Sequence, residues 1–271
     1  MSRSRKRDRI LVLLLFCAHP ASGTTIVVKF EKTRVLIAAD TRADTSGPHL
    51  AEAKHQIADD RCKVLSLGRT GASMIGLVDY HQAEPSDTIA DWNAMSDAKL
   101  AYSAIGDDTQ KIATEWAQRS VLHYQEFYRE VPSRVSALAS GNAQHVLDAA
   151  IFVSWKNQAP LFIVEVVTLD ATRLLPISSA ELTPPITDAE RSLNSFTQEL
   201  IDGETDRAKD VAKRWDMETK KFPPSELAWR HLEFLIEETS KIDPTVSPSS
   251  DILEIPIDGK PSWITKSACN E

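Results

Sequence analysis

Residues 23–42, Gly-Thr-Thr-Ile-Val-Val-Lys-Phe-Glu-Lys-Thr-Arg-Val-Leu-Ile-Ala-Ala-Asp-Thr-Arg, constrain the fold more than any other stretch. Ile26, Val28 and Phe30 alternate with Val27, Lys29 and Glu31, the period of a half-buried strand. Residues 35–39 form a continuous apolar run rich in β-branched side chains, as in a strand covered on both faces. Lys32-Thr33-Arg34 is a short polar break, so the two runs pair as an antiparallel hairpin. That geometry returns the end of the second strand to the start of the first and sets Asp40 near Thr24. A charged Asp-Thr-Arg after a buried Ala-Ala is costly unless the charges are paired. A strand-end ion pair is the plainest outcome.

What precedes Thr24 gives that pairing a second meaning. Arg3, Arg5, Lys6, Arg7 and Arg9 form a basic segment, and residues 10–17 an apolar one of eight residues, too short to span a bilayer. Ala21-Ser22-Gly23 is a small-x-small cleavage site. Residues 1–23 therefore read as a secretory signal or cleaved propeptide, and residues 24–271 as one domain. A retained anchor or a misassigned start is the bland alternative. There is no Arg-Arg pair for a twin-arginine signal, and Phe16 is bulky for a lipoprotein site before Cys17. Cleavage after Gly23 leaves Thr24 as the N-terminus. A Thr hydroxyl needs a base before it attacks a carbonyl. A free α-amine, with a reference pKa of about 8, is one. Nucleophile and base then sit on a single residue.

Gly23-Thr24-Thr25-Ile26-Val27 followed by Val35-Leu36-Ile37-Ala38-Ala39-Asp40-Thr41-Arg42 resembles the mature start of proteasome β-type subunits and their bacterial relatives, N-terminal-nucleophile (Ntn) hydrolases. The spacing of sixteen from Thr24 to Asp40 matches without a gap, and a Gly before the nucleophile suits autoprocessing. The resemblance implies a four-layer αββα sandwich of α+β class. It makes Thr24 the nucleophile, Asp40 the partner of an active-site lysine, and a glycine N–H the oxyanion donor. For the lysine, Lys54 lies closer to the family spacing, and Lys63 has the family's strand-start context; Lys63 is preferred. Gly76 fits the oxyanion glycine, with simple close packing as the alternative. Met74 and Ile75 would lie near the substrate pocket. Ser179 falls roughly where the family keeps an accessory serine, without the Gly-Ser-Gly context, and a capping Ser is the plainer reading. The family's later accessory Asp has no recognisable motif.

Removing residues 1–23 leaves 248 residues with 26 basic against 38 acidic side chains. That balance argues against nucleic acid and anionic membrane surfaces as partners. Cys62 and Cys269 remain and could pair in an oxidising compartment, although nothing in the sequence places them together. No Cys/His cluster has metal-ligand spacing, and no cofactor is expected.

The rest of the chain reads in order. Residues 43–61 are polar, with a turn at Ser46-Gly47-Pro48, and residues 62–67 and 71–80 are strands. Helices are expected at 88–103 and 108–130, the second capped by Asp108, with a further turn at 135–138. Residues 149–155 and 160–168 form a strand pair around Lys156-Asn157-Gln158. Residues 172–177 suggest another strand, with Ser178 and Ser179 after it. Helices follow at 187–201, 206–220 and 223–241, the last with Pro at its first turn. His231 reads as a satisfied core-edge histidine. Pro244, Pro248 and their Ser neighbours read as a linker-like loop, and 252–257 with 261–264 as a final hairpin.

Three functions are expected from this reading. The first is an exported threonine peptidase acting on peptide or amide bonds, a homo-oligomeric ring being one assembly it could adopt. The second is a small-molecule amidase or acylase of the same fold. The third is a non-catalytic interaction protein. Secretion or the periplasm is the expected location, or the cytoplasm if residues 1–23 are a propeptide. No integral membrane segment is expected once they are gone.

Overall fold

The computed structural model describes residues 24–44, 57–58, 61–76, 79–80, 92–130, 145–170, 175–182, 190–203 and 205–269. Residues 1–23, Lys54, the turn at 46–48 and the helical turn expected at 135–138 lie outside them.

The first hairpin forms as its pattern dictates. Strand β1 (Ile26–Phe30) pairs antiparallel with β2 (Arg34–Asp40), Ile26 opposite Ala39. Two short strands, β3 (Ala43–Asp44) and β4 (Ile57–Ala58), pair with one another. The expected strand at 62–67 is β5 (Val64–Leu67). The one expected at 71–80 overlaps β6 (Thr70–Gly76), and residues 77–78 lie outside the described residues. Beyond it, β7 (Asp79–Tyr80) pairs with β8 (Trp92–Asn93). Helix α1 (Ala94–Ile105) therefore starts later than expected, because the Asn93 side chain accepts from Ser96 N at 3.0 Å and caps it. Helix α2 (Thr109–Glu130) is capped by Asp108, which accepts from Lys111 N.

Strands β9 (His145–Lys156) and β10 (Ala159–Asp170) form the long expected pair. Strand β11 (Leu175–Leu182) carries Ser178 and Ser179 inside it, not after it; residues 172–174 of the expected strand lie outside the described residues. The helix expected at 187–201 is split. Strand β12 (Glu190–Ser192) adds to the edge of β1, and α3 (Ser195–Asp202) follows, capped by Asn194. Helix α4 (Asp206–Glu218) closes in a 3-10 turn, and α5 (Leu227–Ser240) begins after Pro223 and Pro224, which sit in a turn. Strands β13 (Ser250–Pro256) and β14 (Ser262–Thr265) are the final hairpin.

The described fold is thus mixed α+β, with five α-helices and two five-stranded antiparallel sheets. Sheet order is β12-β1-β2-β13-β14 in the first and β11-β10-β9-β6-β5 in the second. One apolar cluster joins the sheets, with Ile26, Val28, Ile37 and Ile255 from the first against Val64, Ile151, Val153 and Val164 from the second. A second cluster joins the second sheet to α1 and α2 around Trp116 and Phe152. A third joins the first sheet to α3, α4 and α5 around Leu200, Val211 and Leu232. Burial of these side chains, at roughly 25 cal/mol per Å² of apolar surface, is the main force holding the elements together. Gly71 of β6 lies against Ile255 and Ile37 of the first sheet. A Cβ there would lie 2.4 Å from Ile255 Cδ1 and 3.0 Å from Ile37 Cδ1, so only glycine fits the gap as it stands.

A disulfide joins Cys62 to Cys269 across 207 positions of sequence. Among the described residues, no helix is long and apolar enough to cross a membrane.

Candidate active site

The hairpin register delivers Asp40 beside Thr25. The Asp40 backbone N–H donates to Thr25 O at 3.1 Å, and Thr25 N–H donates back to Asp40 Oδ1 at 2.7 Å. Asp40 Oδ2 accepts from the backbone N–H of Arg42 at 3.0 Å and of Ser247 at 3.3 Å. Every one of these partners donates, an environment that suits an ionised carboxylate.

Lys63 enters from the other sheet, immediately before β5. Its Nζ donates to Asp40 Oδ1 and Oδ2 at 3.1 and 3.2 Å and to Thr24 Oγ1 at 2.9 Å. Lys63 and Asp40 are each about 1 % exposed, whereas Thr24 is only half-buried. The Lys63 main chain is held too, its carbonyl accepting from Ser73 Oγ at 2.7 Å and Met74 N at 3.2 Å. Burial pushes the lysine ammonium below its ordinary range; Asp40 opposes that shift and the charge of Arg42 adds to it. Burial pushes the Asp40 carboxyl up, against the charge of Lys63 and the N–H groups of Thr25 and Ser247. An ammonium that gives up its proton more readily than usual, touching a hydroxyl oxygen, can hold that hydroxyl in place and ease its deprotonation.

Thr24, Asp40 and Lys63 are therefore brought together. Gly76 ends β6, opposite Asp148 of β9. Met74 N–H points toward β5, since it donates to Lys63 O. N–H directions repeat every second residue in a strand, so that of Gly76 points the same way, beyond the Val64–Ser73 pair that ends the ladder. Ser179 lies elsewhere. It pairs with Val166 in β11, the edge of the second sheet farthest from β5, four strand spacings or about 19 Å across.

The loop before β13 lies against Asp40 through the Ser247 N–H, contrary to the linker-like reading of residues 244–250. Far from a linker, it buries Val246 and Ser247. Arg42 Nη1 donates to Pro244 O at 2.5 Å and Val246 O at 3.4 Å, and Thr41 Oγ1 donates to Ser247 Oγ at 3.3 Å. The loop is shaped from within by Asp243, which accepts from the N–H and hydroxyl of Thr245. Val246, an apolar residue isolated between two prolines, was the only hint that this segment turns inward.

Cys62, Asp251 and Cys269 each bring a potential metal-ligand atom within 4.8 Å of the others. The two sulfurs are bonded to one another, so neither is a thiolate ligand. His231 stands far from this chemistry in role: it stacks on Trp215 at 4.6 Å between ring centres, and its Nδ1 lies 3.2 Å from Glu190 Oε1.

No protein-family model matches this chain, and no curated protein matches it.

Proposed function

We propose that this chain is an N-terminal threonine hydrolase of amide or peptide bonds, built as the four-layer αββα sandwich to which the proteasome-like start of its domain points. The observation that carries the reading is Lys63 Nζ, 2.9 Å from Thr24 Oγ1 and anchored by the buried carboxylate of Asp40. Helices packed on the outer face of each of two apposed sheets are consistent with that architecture.

Scission of the Gly23–Thr24 bond frees the Thr24 amine. The amine accepts the Oγ1 proton as Oγ1 attacks the substrate carbonyl carbon, with Lys63 stabilising the developing alkoxide. The Gly76 N–H, directed past the end of the β5 ladder, is the proposed donor to the oxyanion. The amine then protonates the departing amine, leaving an ester on Oγ1, which water hydrolyses in a second step. The Cys62–Cys269 bond suits an oxidising compartment and supports removal of residues 1–23 during export.

The test is expression of the whole chain, followed by its N-terminal sequence, intact mass and turnover of amide substrates. The mature chain is expected to begin at Thr24. Thr24→Ala is expected to lower turnover at least a thousandfold, an order of magnitude set by losing an essential nucleophile, with the fold intact. A mature start elsewhere, or undiminished turnover in Thr24→Ala, would overturn the proposal.

A further inference from the structure

We propose that the Cys62–Cys269 disulfide is a positioning bridge for Lys63, and that its reduction releases the lysine from Thr24 and Asp40. The consequence for turnover rests on the hydrolase reading; the positional claim does not.

The site is assembled from two sheets. Thr24 and Asp40 come from the first, Lys63 from the second. Lys63 sits just outside β5, a four-residue edge strand paired on one side only. Such a strand end frays readily. Noncovalent ties hold it: its carbonyl bonds to Ser73 and Met74, and Arg61 N–H donates to Thr41 O at 2.9 Å.

The disulfide is the covalent tie, one residue from Lys63, and its far end is fixed to the first sheet. Cys269 follows Ala268, whose N–H donates to Asp251 Oδ1 at 3.0 Å, and Ser267 Oγ donates to Ser250 O at 3.1 Å. Asp251 lies in β13 opposite Ala39, and Ser250 opposite Asp40 itself. The bridge therefore runs from the residue before Lys63 to the strand beside Asp40. It fixes the separation that the Lys63–Asp40 and Lys63–Thr24 contacts require.

Cys62 is only half-buried, which gives a reductant access, while Cys269 is 2 % exposed. A dithiol attacks as its thiolate and is itself oxidised to a cyclic disulfide. The two electrons pass to the Cys62–Cys269 pair, and each sulfur takes up one proton. The resulting thiols have acceptors at hand. Val64 O lies 3.1 Å from Cys62 Sγ, and Asp251 Oδ2 lies 3.1 Å from Cys269 Sγ.

The experiment is acylation of the full chain with acetic anhydride between pH 6 and 10, oxidised and after dithiothreitol, mapped lysine by lysine by mass spectrometry. Lys29, paired with Glu190 in the first sheet, and exposed Lys213 serve as internal references. Amide turnover is measured on the same samples. Reduction is expected to raise Lys63 acylation at least tenfold and to move its pH profile toward that of Lys213, with Lys29 unchanged. Turnover should fall at least fivefold and return on reoxidation. Unchanged Lys63 acylation overturns the proposal. So does a parallel rise at Lys29, which would mean that the bridge only keeps the chain folded. A selective rise at Lys63 with no turnover in either state upholds the bridge and overturns the hydrolase reading instead. Cys62→Ser/Cys269→Ser should reproduce the reduced profile without reductant.

Discussion

A fully buried ammonium is tolerable only where a carboxylate and hydrogen-bond acceptors replace its water, and Lys63 has both in Asp40 and Thr24. Among the described residues, Glu165 has no such compensation from a cation. It lies in β10 between Ile163 and Val167, which belong to the apolar cluster under α1 and α2, and burial raises its carboxyl to about 7. Between its ordinary 4.5 and 7 the unfolded chain is ionised while the folded chain keeps the proton, so this group makes stability fall as pH rises through that window. Above it, the buried charge costs about 3 kcal/mol at 1.36 kcal/mol per unit. Glu165→Gln should therefore raise the thermal midpoint at pH 8 and change little at pH 4, as calorimetry at the two values would read. At this scale the sequence was informative where chemistry fixed the partner. Thr24 and Asp40 were legible as neighbours from hairpin register, whereas Lys63 was preferred to Lys54 on the strand-start context that the family resemblance implies. Ser247 was not, because it acts through its backbone N–H, which any residue carries.

The β9–β10 turn places Asn157 and Gln158 at φ 53° and 63°, the left-handed pair of a two-residue hairpin turn. Asn suits that region and Gln does not. Gln158→Gly should stabilise the protein by about 1 kcal/mol and raise the melting midpoint by roughly 2–4 °C. A second tie is made between elements. Glu190 of β12 pairs with Lys29 of β1 at 2.6 Å and meets His231 of α5. Burial resists its ionisation, but the hydrogen bonds and charges of His231 and Lys29 outweigh that and hold it at about 2. Its stabilising effect is complete above 4.5 and is lost as pH falls toward 2. Glu190→Gln should cost about 2–3 kcal/mol at pH 6 and almost nothing at pH 2, measured by urea unfolding. Strands with strong local patterns, β1, β2, β9 and β10, were legible. Strand β12 was not: three residues carry no period, and their partner β1 lies far away in sequence. Helix starts moved because caps such as Asn93 and Asn194 decide them more finely than apolar spacing does.

Across the whole molecule, alternation and run length made individual strands legible, but not which strand meets which, and any layering was implied by the family resemblance alone. The order β12-β1-β2-β13-β14 joins the beginning, middle and end of the domain. The pairing of Cys62 with Cys269 was hidden for the same reason, since composition fixes how many cysteines exist and topology fixes which ones meet. Gly71 shows what that topology demands of later sequence change. A Cβ at 71 and the Cδ1 methyl of Ile255 compete for one volume. Gly71→Ala alone should destabilise by about 1–3 kcal/mol, and Ile255→Val, which removes that methyl, should recover part of the loss in a double-mutant cycle. In descendants of this sequence the two positions should therefore drift together, a larger side chain at one being tolerated only after a smaller one appears at the other.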